Sequence, residues 1–131
     1  MAKTVNITDT NGQQYFVFQS ALSALSNSHL APFILDGVEY NSVDQYLRKN
    51  ARASKPSQED LMRGLRAKFE QNAGAREELL ASGHRTIVYA DEFNRYLGSG
   101  RDIDDINNGC SRRWRGSNVL GKCLMLIRNM L

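Results

Sequence analysis

Apolar and polar positions change period several times along the chain. From Thr4 to Thr8, Val5 and Ile7 alternate with polar residues, Asp9–Gly12 supplies turn chemistry, and Tyr15–Phe18 is an aromatic and β-branched run. That pattern predicts a first short hairpin. A second is predicted where Phe33-Ile34-Leu35 and Val38-Glu39-Tyr40 flank Asp36-Gly37, because Gly tolerates the positive φ of a two-residue turn. The period then becomes helical. Ser42 and Gln45 form a capping box, and Val43, Tyr46, Leu47 and Asn50 share one face of a helix predicted over Ser42–Ala53. Asp44 and Arg48 share the neighbouring face.

Ser20–Ala31 is rich in Ser, Ala and Leu, but Ser26-Asn27-Ser28-His29 before Pro32 predicts an ordered loop rather than a long helix. His29 reads as a polar loop or packing residue. Ser57-x-x-Asp60 caps a further helix whose buried side carries Leu61, Leu65 and Phe69 with Met62 alongside, so Arg63, Arg66 and Lys68 are expected to point away. Asn72–Gly74 ends it, Ala75–Ala81 forms a short helix, and Gly83 suits its left-handed cap. Thr86–Tyr89 has strand composition, and Asp91–Gly109 is turn-rich. The last helix, about Ser117–Leu131, repeats Leu120, Cys123 or Leu124, Ile127, and Met130 or Leu131.

At 131 residues and 41% hydrophobic, one domain over residues 1–131 is expected, mainly helical with short β-hairpins, an α+β fold. The formal charge of +3 is unevenly spread. Residues 44–68 hold seven Lys/Arg against three acids, and residues 111–131 hold five against none. Folded together, those segments would attract a phosphate-bearing partner; apart, they are solvated helix faces. Cys110 and Cys123 lack CxxC spacing, and no ligand cluster suggests a metal, so no metal and no cofactor are expected. No apolar run approaches the roughly 20 residues of a membrane span, and no signal peptide is evident, so a cytoplasmic protein without a membrane partner is the default.

Asp44, in a first helical turn where the dipole favours the ionised form, is either ordinary helix chemistry or a carboxylate for base or cation-stabilising work. The segment SRRWRGSN sets three arginines and Trp114 beside a helix N-terminus, which suits a phosphate and a stacked base, or else a core-edge Trp with solvated arginines. Gly116 and Gly121 permit close backbone approach.

Four ordered segments, LSNSHLAPFILDGVEYNSVDQYL, KFEQNAGAREELLASGHRTIVYAD, LGSG and WRGSNVLGKCLMLIRNML, resemble the NADAR family, also called the YbiA-like domain. The resemblance spans roughly residues 16–131. It implies a compact, mostly helical fold and an N-glycosidase that hydrolyses the ribose C1–N bond of ADP-ribosyl or phosphoribosyl conjugates. Examples are ADP-ribosylated guanine in nucleic acid and ribosylamino-pyrimidine intermediates of riboflavin synthesis. Asp44 stands where the family usually has Glu in SVEHY, Gln45 where it has His, and Leu97 where it has the Trp of WGxG; Gly98 and Gly100 are retained. Lys68, Phe69, Gln71, Asn72, Asp91, Gly116, Asn118, Leu120, Gly121 and Lys122 match.

The resemblance implies Asp44 as the catalytic carboxylate and Asp91 as runner-up. Lys68, Arg113 and Lys122 are the candidate phosphate partners; Asn27 and Asn118 are the amide partners for ribose hydroxyls or a base edge; Arg48, Asn72, Gly98, Gly100, Gly116 and Trp114 are further candidate substrate-binding residues. Trp114 and its glycines are expected to face Asp44 across it. Two other functions fit the same residues: a catalytically silent ADP-ribose or nucleotide-binding module, supported by the Asp44 and Leu97 departures, and a basic nucleic-acid-binding protein.

Overall fold

The computed structural model describes residues 4–51, 55–106 and 114–131. Along the chain run β1 (Thr4–Thr8), β2 (Gln14–Phe18), β3 (Phe33–Leu35), β4 (Val38–Tyr40), α1 (Val43–Asn50), α2 (Gln58–Gln71), α3 (Ala73–Ala81), β5 (Thr86–Tyr89), the single turn α4 (Ile103–Asp105) and α5 (Val119–Met130). The fold is α+β.

Both predicted hairpins form. β1 pairs antiparallel with β2, and β3 with β4. Asp36 (φ 53°) and Gly37 (φ 78°) both take positive φ, the geometry that matches a two-residue turn to the twist of its strands. β5 then lies parallel to β2, with Phe16 opposite Ile87 and Phe18 opposite Tyr89. A parallel neighbour needs a long crossover, and here the second hairpin and α1–α3 supply it. Because side chains alternate across a strand, Phe16, Phe18, Ile87 and Tyr89 face the main core with the helices. Val17 and Val88 face the other side, where Ala90 and Ile106 complete a smaller cluster.

α1 is shorter than the predicted Ser42–Ala53. Asn50 Nδ2 donates to the Tyr40 hydroxyl and the Tyr46 carbonyl, and Ala51 leaves the helix in extended conformation. The capping box closes with Ser42 Oγ accepting the Gln45 N–H at 3.1 Å, while Gln45 Oε1 accepts the Asn41 N–H, one residue before the cap. α2 packs on α1 where Gly64 sits under the Tyr46 ring; a Cβ at Gly64 would stand 2.8 Å from it. Gln71 closes the open edge of β3, its amide both accepting the Ile34 N–H and donating to the Ile34 carbonyl at 2.8 Å.

Lys68 is a correction. It is fully buried rather than turned outward, while Arg63 and Arg66 are exposed and pair with Asp36 and Glu70. α5 buries Leu120, Cys123, Leu124 and Ile127 against α2 and β5, and burial pushes the Cys123 thiol up to about 11. The stripe ends there: Met130 and Leu131, placed in it by spacing, are exposed.

Candidate active site

Asp44 occupies the first turn of α1, with a side chain 28% exposed. Its Oδ2 pairs with Arg48 one turn on at 2.9 Å, and Arg48 is itself mostly in solvent. The Asp44 N–H, one of the amides that a helix start leaves free, donates to the Asn27 carbonyl at 2.9 Å. On β5, the Tyr89 hydroxyl donates to Asp91 Oδ2 at 3.0 Å and feels the Asp44 charge more weakly. Burial first, then Asp91, raises the Tyr89 hydroxyl well above its ordinary range, so it stays a proton donor. Of the two carboxylates, Asp91 is the one that touches the hydroxyl.

Their availability differs. Asp91 Oδ1 accepts the Phe93 and Asn94 N–H groups while Oδ2 takes the tyrosine, so three of about four lone-pair sites are occupied in building the turn. Among the described residues, Asp44 keeps open acceptor capacity at a partly exposed surface.

Asn27 belongs to the loop between β2 and β3, which winds through successive turns from Ser20 to His29. It is buried, and its Oδ1 has no protein partner among the described residues. That buried, unpaired acceptor thus belongs to the residue whose carbonyl holds the Asp44 amide. The neighbouring Ser26 carbonyl accepts Lys68 Nζ at 2.9 Å. Burial lowers the Lys68 ammonium to about 7, with Glu78 opposing, and a side chain with no exposed surface cannot be a phosphate contact without a rearrangement.

The glycine-rich segments come together, but as backbone packing. A Cβ on Gly98 would meet the Asn94 carbonyl at 2.8 Å and Asp91 Cβ at 3.0 Å; one on Gly116 would collide with the Gly98 carbonyl. Gly100 (φ 72°) lies against Arg115 and Gly116 in the same way. The N–H groups of Asn118, Val119 and Leu120 donate to the carbonyls of Gly98, Tyr96 and Leu97, each at 3.0 Å. The start of α5 is thus capped from within, which removes the phosphate cradle that the sequence suggested there. Asn118 itself is buried in left-handed conformation (φ 51°), its amide accepting the Tyr89 N–H and donating to the Ile87 carbonyl.

Trp114 is the second correction. It packs edge-on to Tyr15 with the cluster of Val17, Val88, Ala90 and Ile106, on the sheet face opposite Tyr89, so it does not face Asp44. Leu97, at the family's Trp position, is buried in the main core. Asn72 Nδ2 donates to the Pro32 and Lys68 carbonyls, and Lys122 projects from the exposed side of α5. Arg113 lies outside the described residues, as do Cys110 and Arg112. Sequence reasoning missed Tyr89 and Glu78. Tyr89 had a signal, since it shares a strand face with Ile87 two residues earlier and precedes Asp91 by two.

The NADAR domain profile matches residues 11–131 of this chain. N-glycosidase R617 of Acanthamoeba polyphaga mimivirus is 40% identical over 65 residues, which cover 50% of this chain and 38% of that protein. Protein irg-1 of Caenorhabditis elegans is 29% identical over 129 residues, covering 93% of this chain and 60% of that protein. The chain therefore spans less than two thirds of the length of either relative. The NMR structure of the E. coli protein YbiA superposes with a TM-score of 0.67 at 22% identity, covering 98% of this chain and 88% of that one, a likeness of fold.

Proposed function

The chain belongs to the NADAR domain family, and on that premise we propose that it is an N-glycosidase hydrolysing the ribose C1–N bond of ADP-ribosyl or phosphoribosyl conjugates. One observation carries the reading: Asp44 is a partly exposed carboxylate with open lone pairs among the described residues, fixed through its own amide to the Asn27 carbonyl. As the C1–N bond breaks, its electron pair leaves with the base and positive charge develops on C1 and the ring oxygen. Asp44 offsets that charge and orients the attacking water. The water oxygen bonds to C1, and its proton goes by way of the carboxylate to solvent or the departing nitrogen. The Asn27 carbonyl keeps the carboxylate-bearing helix in place through the Asp44 amide, and the exposed Arg48 holds a phosphate without leaving Asp44, since its guanidinium has five donors.

The test is release of free ADP-ribose from an oligonucleotide carrying ADP-ribosylated guanine, run beside phosphoribosylamino-pyrimidines as the small-molecule arm. Release from either arm supports the reading and names the substrate class. Saturable binding of ADP-ribose without turnover of either would favour the silent module instead. Burial of Leu97 is the observation on that side, because it leaves the usual stacking position without a ring.

A further inference from the structure

We propose that Lys68 and Glu78 are a pair of positioning residues that hold Asp44 in place by clamping the Ala24–Asn27 stretch of the β2–β3 loop from two helices. Lys68 of α2 donates its ammonium to the Ser26 carbonyl at 2.9 Å; Glu78 of α3 accepts the Ala24 N–H. The next carbonyl along, that of Asn27, receives the Asp44 N–H at 2.9 Å. Opposite charges thus grip a donor and an acceptor two residues apart on one strand of backbone, and that backbone grips the carboxylate-bearing helix.

The two charges form no ion pair with each other among the described residues; they meet through the loop. This is a costly arrangement for packing alone. A buried ammonium with one hydrogen-bond acceptor among the described residues and the Phe69 ring 4.9 Å away gives up much of its hydration, and a shorter neutral donor would satisfy the Ser26 oxygen, which the His29 N–H already reaches at 3.2 Å. What the long charged side chains add is a fixed distance from two packed helices to the loop. α2 also packs directly on α1, so both ends of the relay refer to one scaffold. The same loop carries Asn27 Oδ1, so its position sets the orphaned acceptor and the carboxylate together.

The proposal rests on Asp44 being the reacting carboxylate for its kinetic consequence, but not for its structural one, and the experiment reads both. Lys68→Met, Lys68→Arg and Glu78→Gln are prepared in the full chain, with melting curves as the folding control. Amide hydrogen exchange and the chemical shift of the Asp44 N–H are followed by NMR. Lys68→Met is expected to speed exchange at Asp44 and to lower kcat roughly 10- to 100-fold with KM within about 3-fold, as an ångström-scale misplacement does. Lys68→Arg should recover part of both. Should Lys68→Met fail to fold, Glu78→Gln, which keeps an oxygen for the Ala24 N–H, carries the same readouts with smaller effects. A folded variant whose Asp44 amide is unmoved in shift and protection overturns the clamp. If the wild type turns over no substrate, the functional reading fails by itself and the amide data still decide the clamp.

Discussion

Asn118 Oδ1 accepts the backbone N–H of Tyr89 at 3.0 Å, and the same amide's Nδ2 donates to the Ile87 carbonyl. One side chain therefore acts as an extra strand on the open edge of β5 and fixes the start of α5 to the strand that carries the tyrosine hydroxyl. Loss of it leaves two backbone groups unpaired in the interior, each costing about 1–3 kcal/mol. Asn118→Ala is expected to lose roughly 3–7 kcal/mol in urea unfolding, including about 1 kcal/mol for an alanine held at positive φ. Asn118→Gly should recover only that last part. Equal losses in the two variants would assign the whole effect to hydrogen bonding.

Gly98 tests whether the LGSG segment is packing or ligand surface. A methyl group there meets the carbonyls of Asn94 and Tyr89 as well as Asp91 Cβ, and backbone cannot yield as a side-chain tip can. Gly98→Ala should destabilise the fold by about 1–3 kcal/mol. Unchanged stability with weakened ADP-ribose binding would restore the glycine to the ligand surface.

What was legible in the sequence was local. The Asp36-Gly37 turn, the Ser42 and Ser57 caps and the stripe of Leu120, Leu124 and Ile127 are written within a few residues of each other. Lys68 was legible in position and obscured by its charge: it falls seven residues after Leu61 and three after Leu65, on their buried face, yet a lysine argues for solvent. Trp114 was illegible, because which sheet face it covers depends on β2 and β5 pairing in parallel across the whole helical crossover. In the basic stretch from Asp44 to Lys68, spacing did not tell which charges are paired, for a related reason. Arg48, Arg63 and Arg66 each meet an acid and Lys68 is internal, and the Arg63 partner comes from the distant hairpin turn.

The buried lysine has a pH signature. Burial lowers it to about 7 from its ordinary 10.5, so between those values the unfolded chain binds a proton that the folded chain has released. Stability then rises with pH over that window, is fully gained above the unfolded value, and is lost as pH falls toward 7, on the order of a few kcal/mol in all. Urea unfolding from pH 7 to 9 should show this rise in the wild type and a flatter profile in Lys68→Met. Tyr89, raised in the folded state, acts in the opposite direction only above about pH 10. Parallel profiles for the two proteins would mean that the ammonium keeps its proton inside the fold.

The central claim concerns the charge on Asp44. Asp44→Asn keeps the size of the side chain and the backbone bond to Asn27, and gives up an ion pair with an exposed Arg48 worth about 0.3–0.5 kcal/mol, so the fold should survive. It removes the negative charge that offsets the developing cation. Single-turnover cleavage of an ADP-ribosylated guanine oligonucleotide, or of a phosphoribosylamino-pyrimidine if that is the active arm, should slow by roughly 10²- to 10³-fold or more. ADP-ribose affinity and melting temperature should hold. Full-rate cleavage by a folded Asp44→Asn protein would contradict the account and move the chemistry to Asp91.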